Sequence, residues 1–169
     1  MSLDNMISLG DDQMANNFIL SFPGGIPTGG DSDAVSFRME EAVTMPEDAG
    51  GEYEIVYQGL KLVKPNNTDQ MDKHVTINVR VDSQWNVYKD LKKWKNAVYN
   101  NVDGTYLPSG STSTTMAVQA LNGQKDIVKT FLFKSTWLQK IKVQDFSHTE
   151  EGPAKLELTF IFGSWEDGE

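Results

Sequence analysis

Apolar and polar residues alternate along most of this chain, in short runs bounded by glycine, proline and asparagine. The alternation is clearest in residues 74–82 (HVTINVRVD) and recurs in residues 154–164. A two-residue period is typical of a strand that buries one face, so the pattern predicts a mainly β, antiparallel domain. We expect strands at residues 17–22, 34–42, 52–63, 74–82, 112–121, 127–137, 138–145 and 154–164.

One segment, residues 83–104, has a helical period instead. Its apolar residues recur every three or four positions: Val87, Leu91, Trp94 and Val98. Four lysines lie mostly elsewhere on the helical wheel: Lys89, Lys92, Lys93 and Lys95. Asp82 or Ser83 can cap the start, and Asp103 with Gly104 can close the end. The segment predicts one amphipathic helix of about four turns that flanks the sheet.

Two polar connections interrupt the strand pattern. Residues 23–33 (PGGIPTGGDSD) read as a turn region, and residues 64–73 (KPNNTDQMDK) as a long protruding hairpin loop. A chain of 169 residues is long enough for one core, so we expect a single domain over 1–169. Within it, residues 1–15 are expected to form a flexible or contact-making arm.

Negative charge is concentrated in the first third of the chain. Residues 1–54 hold eleven of the 24 acids but only Arg38 of the 15 bases, and residues 39–55 (MEEAVTMPEDAGGEYEI) hold six carboxylates and no base. In the strand predicted at 52–63, alternation places Tyr53, Ile55 and Tyr57 on the core face. Glu52 and Glu54 then point away from the core. A block without bases repels nucleic acid, because Lys and Arg are the residues that bind phosphate.

No pattern in the chain is typical of an active site. Adjacent carboxylates such as Glu40 and Glu41 face opposite sides of a strand, whereas catalytic pairs need a shared site with contrasting environments. The acidic segments lack the EF-hand spacing for calcium. The chain has no cysteine, and His74 and His148 are far apart in sequence, which argues against zinc. We therefore expect no enzyme, no cofactor and no metal.

Targeting signals are also absent from the pattern. No run of apolar residues is long enough for a membrane span, and the start of the sequence lacks a basic and apolar leader. We expect a protein made in the cytoplasm without a membrane anchor.

The order of segments resembles a known family. Residues 15–22 (ANNFILSF), then 34–98, resemble the core of tail tube proteins of contractile-tailed, myovirus-type bacteriophages, which share an Hcp-like fold. The matching pieces are residues 16–22, 37–46, 52–61, 64–73, 74–81 and 90–94. Residues 129–167 resemble the closing strands of that family. The resemblance covers residues 12–167 and departs from the family pattern at 23–33 and at 50–51.

This resemblance implies a twisted antiparallel β-sandwich or open barrel with one flanking helix. Six copies would form a ring whose inner sheets join into one large β-barrel, and the rings would stack into a hollow tube inside a contractile sheath. The implied role is a structural subunit of a virion tail tube that is assembled in the host cytoplasm and conducts genomic DNA. The implied partners are further copies, sheath, baseplate and tail terminator proteins, and a tape measure protein in the lumen. DNA would pass without specific binding.

The same resemblance assigns surface roles to three sets of residues. Lumen-facing residues would be Glu40, Glu52, Glu54 and Gln58. Inter-ring contacts would come from residues 1–15 and from Lys64, Asn66, Asn67, Asp69, Asp72, Glu47 and Asp48. Sheath-facing residues would be Lys89, Lys92, Lys93 and Lys95.

Alternative functions remain open from the sequence. Within the same fold, the chain could be a baseplate tube initiator, or a tube protein of the type VI secretion or bacteriocin kind. In a different class, it could be an acidic β-sandwich module that binds carbohydrate or calcium. That module would need exposed aromatic residues on a sheet face, whereas the four tryptophans sit at element ends or on apolar stripes.

Overall fold

The structure, a computed structural model, describes residues 12–168, except for the side chains of Phe37 and of residues 39–42. Within this part the chain is mainly β, as predicted. The elements in order are β1 (Phe18–Ser21), α1 (Ser32–Arg38), β2 (Met39–Thr44), β3 (Gly50–Tyr57), β4 (Leu60–Asp69), β5 (His74–Arg80), α2 (Asn86–Val98), α3 (Ser109–Thr112), β6 (Thr114–Leu121), β7 (Ile127–Val143), β8 (Lys155–Ile161) and β9 (Ser164–Gly168). Among the described residues, no helix combines the length and the apolar character needed to cross a membrane.

Seven of the strands form one curled antiparallel sheet. Its order is β1-β6-β7-β8-β5-β2, and β9 pairs with β7. The long strand β7 belongs to both halves of the sheet, since its first part pairs with β6 and β9 and its second part pairs with β8. At the junction Ser135 has a left-handed backbone, with φ of 55°. This bend curls the sheet into a half-barrel whose end strands are β1 and β2.

The core lies inside the curled sheet. The alternation predicted from the sequence is confirmed, because the inward residues of β5 and β8 are at most 1% exposed: Val75, Ile77, Val79, Leu156, Leu158 and Phe160. Helix α2 packs Leu91 and Trp94 into the same interior. The Trp94 ring lies 6.1 Å from the Phe22 ring and 5.6 Å from the Phe160 ring, centroid to centroid. One hydrophobic core therefore joins the sheet and the helix.

The start of helix α2 is fixed by Asp82. Its carboxylate accepts hydrogen bonds from the backbone N–H groups of Asn86 and Val87, each with a donor–acceptor distance of 3.2 Å. Desolvation raises the pKa of Asp82, but these hydrogen bonds outweigh it and hold that pKa below its usual value. Of the two residues that the sequence offered, Asp82 makes these capping hydrogen bonds, whereas the cap position itself is taken by Trp85, whose backbone is left-handed with φ of 60°.

Four of the predicted strands have clearly different boundaries in the structure. Residues 34–42 were expected to be one strand but form α1 and then β2, because the Asp31 carboxylate accepts a hydrogen bond from the N–H of Ala34 and starts a helix turn. Residues 127–137 and 138–145 are the single bent strand β7. The strand expected at 154–164 ends at Ile161, and β9 begins at Ser164.

The largest correction concerns residues 50–69. The expected strand 52–63 and loop 64–73 are wrong, since β3 and β4 form an antiparallel hairpin that is a separate two-stranded sheet. Gln58 and Gly59 have φ of 47° and 77°, the positive values that a two-residue type I′ turn requires at both central positions. The turn therefore lies at residues 58–59, and residues 64–69 lie at the base of the hairpin.

Candidate assembly surface

The β3–β4 hairpin has two chemically different faces. Residues directly opposite one another in the ladder share a face, and these pairs include Tyr53 with Lys64, Ile55 with Leu62 and Tyr57 with Leu60. We call Tyr53, Ile55, Tyr57, Leu60 and Leu62 the apolar face. The opposite pairs are Glu52 with Pro65, Glu54 with Val63 and Val56 with Lys61, and we call these six residues the mixed face.

The apolar face lies in solvent. Its side chains are between 41% (Ile55) and 75% (Leu60) exposed. The sequence correctly separated Tyr53, Ile55 and Tyr57 from the neighbouring acids, but the expectation that they pack on the core is wrong, because the hairpin forms its own sheet. Single exposed apolar residues are ordinary, whereas a contiguous group of five on a two-stranded ribbon marks a contact surface. The hairpin is therefore the strongest candidate for an assembly site.

The mixed face contains the acids that were expected to face a lumen. Glu52 and Glu54 are both exposed, and Lys61 Nζ lies 2.5 Å from Glu54 Oε1. Gln58 is in the turn, with its amide 3.4 Å from the Tyr57 hydroxyl. The side chain of Glu40 lies outside the described residues. The partner of Glu54 is Lys61 of β4, a residue outside the acidic segment 39–55. The sequence of that segment alone therefore does not show that the charge of Glu54 is balanced.

The residues expected to make inter-ring contacts gather around the hairpin base. Lys64, Asn66, Asn67, Asp69, Asp72, Glu47 and Asp48 are all exposed. Asp48 and Asp69 line one depression of about 290 Å³, together with Lys73 and Trp165. Hydrogen bonds from the Met71 backbone and from the Lys73 ammonium hold the pKa of Asp69 below its usual value. Asp72 contacts Nδ1 of His74. The structure thus joins sequence segments on both sides of the hairpin into one polar base.

The four helix lysines are less uniform than their sequence pattern indicates. Lys89 and Lys93 are exposed, whereas Lys92 and Lys95 are half-buried. Lys95 Nζ donates a hydrogen bond over 3.2 Å to the carbonyl of Tyr99, at the end of α2. Lys95 therefore stabilises the C-terminus of α2, where the helix dipole favours a cation.

One feature was missed by sequence reasoning: a basic row on the polar face of β7. Lys140 and Lys142 are exposed there, and Lys142 stands directly opposite Glu157 of β8. Arg80, at the end of β5, is on the same face of the sheet. The alternation of Lys140, Ile141 and Lys142 was the available signal, but the sequence does not show which strands lie beside it.

Comparison with known proteins identifies the fold. No family model matches the sequence, and a search of curated proteins also finds no match. The sheath/tube terminator of an extracellular contractile injection system, PVC, in its extended state is similar in structure, with a TM-score of 0.69, 13% identity, and coverage of 95% of this chain and 99% of that chain. The PVC sheath–tube complex gives a TM-score of 0.61 at 14% identity, covering 99% of both chains. The tube-terminating cap of the anti-feeding prophage gives 0.67 at 11% identity, covering 94% of this chain and 92% of that chain.

These similarities confirm the fold expected from the resemblance. The chain has the tail tube fold of contractile injection systems, with a curled antiparallel half-barrel and a helix packed into it. The three similar structures are a sheath/tube terminator, a sheath–tube complex and a tube-terminating cap.

Proposed function

We propose that this chain is a self-assembling structural subunit of the hollow tube of a contractile injection apparatus. The observation that carries the proposal is a tail tube fold with an exposed apolar hairpin and with two strand edges, in β2 and in residues 137–143, that have no further strand beside them among the described residues. Each of these features is a liability in a lone molecule and becomes a contact in a ring or a stack.

Ring closure uses the two free edges of one half of the sheet. This half of the sheet consists of β2, β5, β8 and the second half of β7, in that order. Within the described residues, β2 pairs only with β5, and residues 137–143 of β7 pair only with β8. Joining β2 of one copy to residues 137–143 of the next removes both edges and extends the sheet around a ring. Six copies per ring follow from the resemblance, and a similar structure, the anti-feeding prophage baseplate, is described as 6-fold symmetrised.

In a stack of rings, the hairpin and helix α2 make different contacts. The hairpin, with the polar base formed by residues such as Asn66 and Asp69, makes inter-ring contacts. The exposed lysines of α2, Lys89 and Lys93, are the part of the predicted lysine set that best suits a sheath contact. Baseplate and terminator proteins bind the two ends of such a tube, and the structures that share this fold come from a sheath–tube complex, a baseplate and a terminating cap.

The channel has a wall of mixed charge. The mixed face of the hairpin directs Glu52 and Glu54 towards the lumen, while Lys140 and Lys142 lie on the polar face of the sheet that closes the ring. The acids of this wall repel DNA phosphates, which suits passage of a phage genome past a tape measure protein. The same wall also suits protein cargo in a tube of the type VI secretion or bacteriocin kind.

Negative-stain electron microscopy of the purified full chain tests this proposal. We expect rings with a central hole, or hollow rods. A compact monomer that persists at high concentration would overturn the proposal.

A second candidate is a protein of the tube end. It is favoured by the structural similarity to a terminator and a cap, with TM-scores of 0.69 and 0.67. A tube-end protein would form single rings that do not stack, so the same micrographs distinguish it from a tube subunit.

A further inference from the structure

Within the part of the chain that the structure describes, the β3–β4 hairpin is held at its base. All ten residues of β4 and seven of the eight residues of β3 are exposed, and neither strand pairs with a strand of the main sheet. A lone two-stranded ribbon has little stability of its own in water. The contacts of the base, residues 45–49 and 70–73, therefore decide how the hairpin is held.

Two methionines anchor the base without fixing the angle of the hairpin. Met45 precedes β3 and Met71 follows β4, and both side chains are half-buried against the hydrophobic core. The backbone N–H of Gln70 donates to the carbonyl of Ala49, with a donor–acceptor distance of 3.2 Å, and this bond closes the hairpin. An unbranched thioether side chain adapts to new surroundings by rotating about its single bonds. Both anchors therefore allow the hairpin to change direction while its base stays attached.

Lys73 adds a polar contact between the hairpin and the main sheet. Its Nζ lies 3.0 Å from Oδ2 of Asp69, the last residue of β4. The same Nζ donates a hydrogen bond to the carbonyl oxygen of Gly163, which is 3.2 Å away and lies between β8 and β9. Among the described residues, no other side chain has polar contacts with both the hairpin and the main sheet. We call these two contacts of the Lys73 ammonium the latch.

The main-sheet side of the latch is rigid. The backbone N–H of Gly163 donates to the carbonyl of Lys134, 2.9 Å away, and a Cβ at position 163 would lie 3.1 Å from the Cβ of Ser135, where β7 bends. On the hairpin side, Oδ1 of Asp69 accepts a hydrogen bond from the Met71 N–H, with a donor–acceptor distance of 2.9 Å. Because one partner of the ammonium is fixed in the main sheet, the latch determines the direction in which β4 leaves the half-barrel.

We infer that Lys73 holds the hairpin at one angle to the half-barrel, and that the hairpin is an arm that turns about residues 45–49 and 70–73 when the latch opens. This inference goes beyond the proposed function, because it describes a single copy before any contact with another. The side chains of Lys73 and Asp69 are 38% and 59% exposed. Exposed ion pairs are weak and are screened by salt, so the latch opens readily, and a charged group of another molecule can compete for it.

Double electron–electron resonance tests the latch in the full chain, diluted until sedimentation velocity shows only monomer. The chain has no cysteine, so spin labels attach only to the introduced pair, Leu60→Cys beside the hairpin turn and Lys93→Cys on α2. We expect one narrow distance distribution. Lys73→Met in addition removes the ammonium but keeps an unbranched side chain, and it should widen the distribution about twofold or more. Lys61→Met, which removes the ion pair with Glu54 inside the hairpin, is the matched control and should leave the distribution narrow.

Salt gives a second readout of the same contact. In about 1 M NaCl the distribution of the chain with Lys73 should widen towards that of Lys73→Met, whereas Lys73→Met itself should not change. A narrow distribution in Lys73→Met would overturn the inference, and so would an equally wide one with Lys73 present at low salt. If Lys73→Met unfolds at a lower urea concentration, Asp69→Asn replaces it: this variant removes the other charge, keeps an acceptor for the Met71 N–H, and should widen the distribution as well.

Amide hydrogen exchange separates turning of the arm from melting of the hairpin. The N–H groups of Gln70 and Phe162 form hydrogen bonds at the base, to the carbonyls of Ala49 and Lys73, and they should exchange about two- to fivefold faster in Lys73→Met. The amides that pair β3 with β4 should keep their rates. Equal acceleration throughout the hairpin would show melting and overturn the inference. Because these measurements use the monomer, they decide on the latch whether or not copies assemble into rings.

Discussion

The indole Nε1 of Trp94 donates a buried hydrogen bond to the carbonyl oxygen of Thr112, and the two atoms are 2.7 Å apart. Trp94 is fully buried, and Thr112 ends the short helix α3 just before β6. The bond ties α2 to the entry of the half-barrel and satisfies a backbone acceptor that water does not reach. A buried carbonyl without a partner is costly, so this contact fixes the helix in its place.

Replacing the indole with a benzene ring tests this tie. Trp94→Phe keeps an aromatic side chain but removes the donor, and we expect a loss of about 1–3 kcal/mol in the free energy of unfolding. Urea denaturation followed by circular dichroism measures it. Lys93→Ala, on the exposed side of the same helix, should change the free energy by no more than about 0.5 kcal/mol. Equal effects of the two substitutions would contradict a structural role for the hydrogen bond.

The apolar face of the hairpin should matter for association and not for folding. We expect the double variant Tyr57→Ser, Leu60→Ser to unfold within about 0.5 kcal/mol of the wild type, because neither side chain reaches the core. The same variant should stay monomeric where the wild type associates, as measured by sedimentation velocity. Val102→Ser, at another highly exposed apolar residue, is the matched control and should associate like the wild type. A marked loss of folding stability in the double variant would show that the hairpin packs on its own chain.

The hairpin turn depends on its glycine. Gly59 has a φ of 77°, a left-handed conformation that a β-branched residue adopts only with strain. Gly59→Val should therefore shift or open the turn and weaken assembly while the core stays folded. Amide hydrogen exchange that is faster in residues 50–69 and unchanged in β5 and β8 would show this. Gln58→Asn, which suits a positive φ, is the control and should keep the turn.

The helix cap at Asp82 predicts a dependence of stability on pH. Folding lowers the pKa of this carboxyl, so the ionised form stabilises the native state above the pKa of the unfolded chain, about 3.9. That contribution is lost as the pH falls through the lower folded-state pKa. Asp82→Asn should therefore be less stable than the wild type at pH 7, and the difference should shrink below about pH 4.

Thermal unfolding at pH 7 and at pH 3 measures the effect of Asp82. Ser83→Ala is the matched control, because Ser83 was the other cap that the sequence allowed and its side chain makes no hydrogen bond among the described residues. A pH-independent difference for Asp82→Asn would contradict the assignment of the cap.

The β3–β4 hairpin is the part of the fold that the sequence pattern did not predict. Residues 64–69 read as a loop because they are polar, yet they form a strand with both faces exposed. A strand that is not buried needs no alternation of apolar residues, so its sequence carries no two-residue period. The signal that was available was Gln58-Gly59 between two apolar runs, which favours a tight hairpin turn.

The sequence by itself determined the elements whose burial follows a period. The alternation in β5 and β8 and the three- to four-residue spacing in α2 predicted the core and the helix, because each pattern has one buried face. The order of segments along the chain carried the resemblance to the tail tube family. Only the tertiary structure decided how these elements meet. It placed Lys61 beside Glu54, and it left Tyr53, Ile55 and Tyr57 in solvent. These arrangements depend on contacts between residues distant in sequence, and no local pattern of apolar and polar residues records which strands become neighbours.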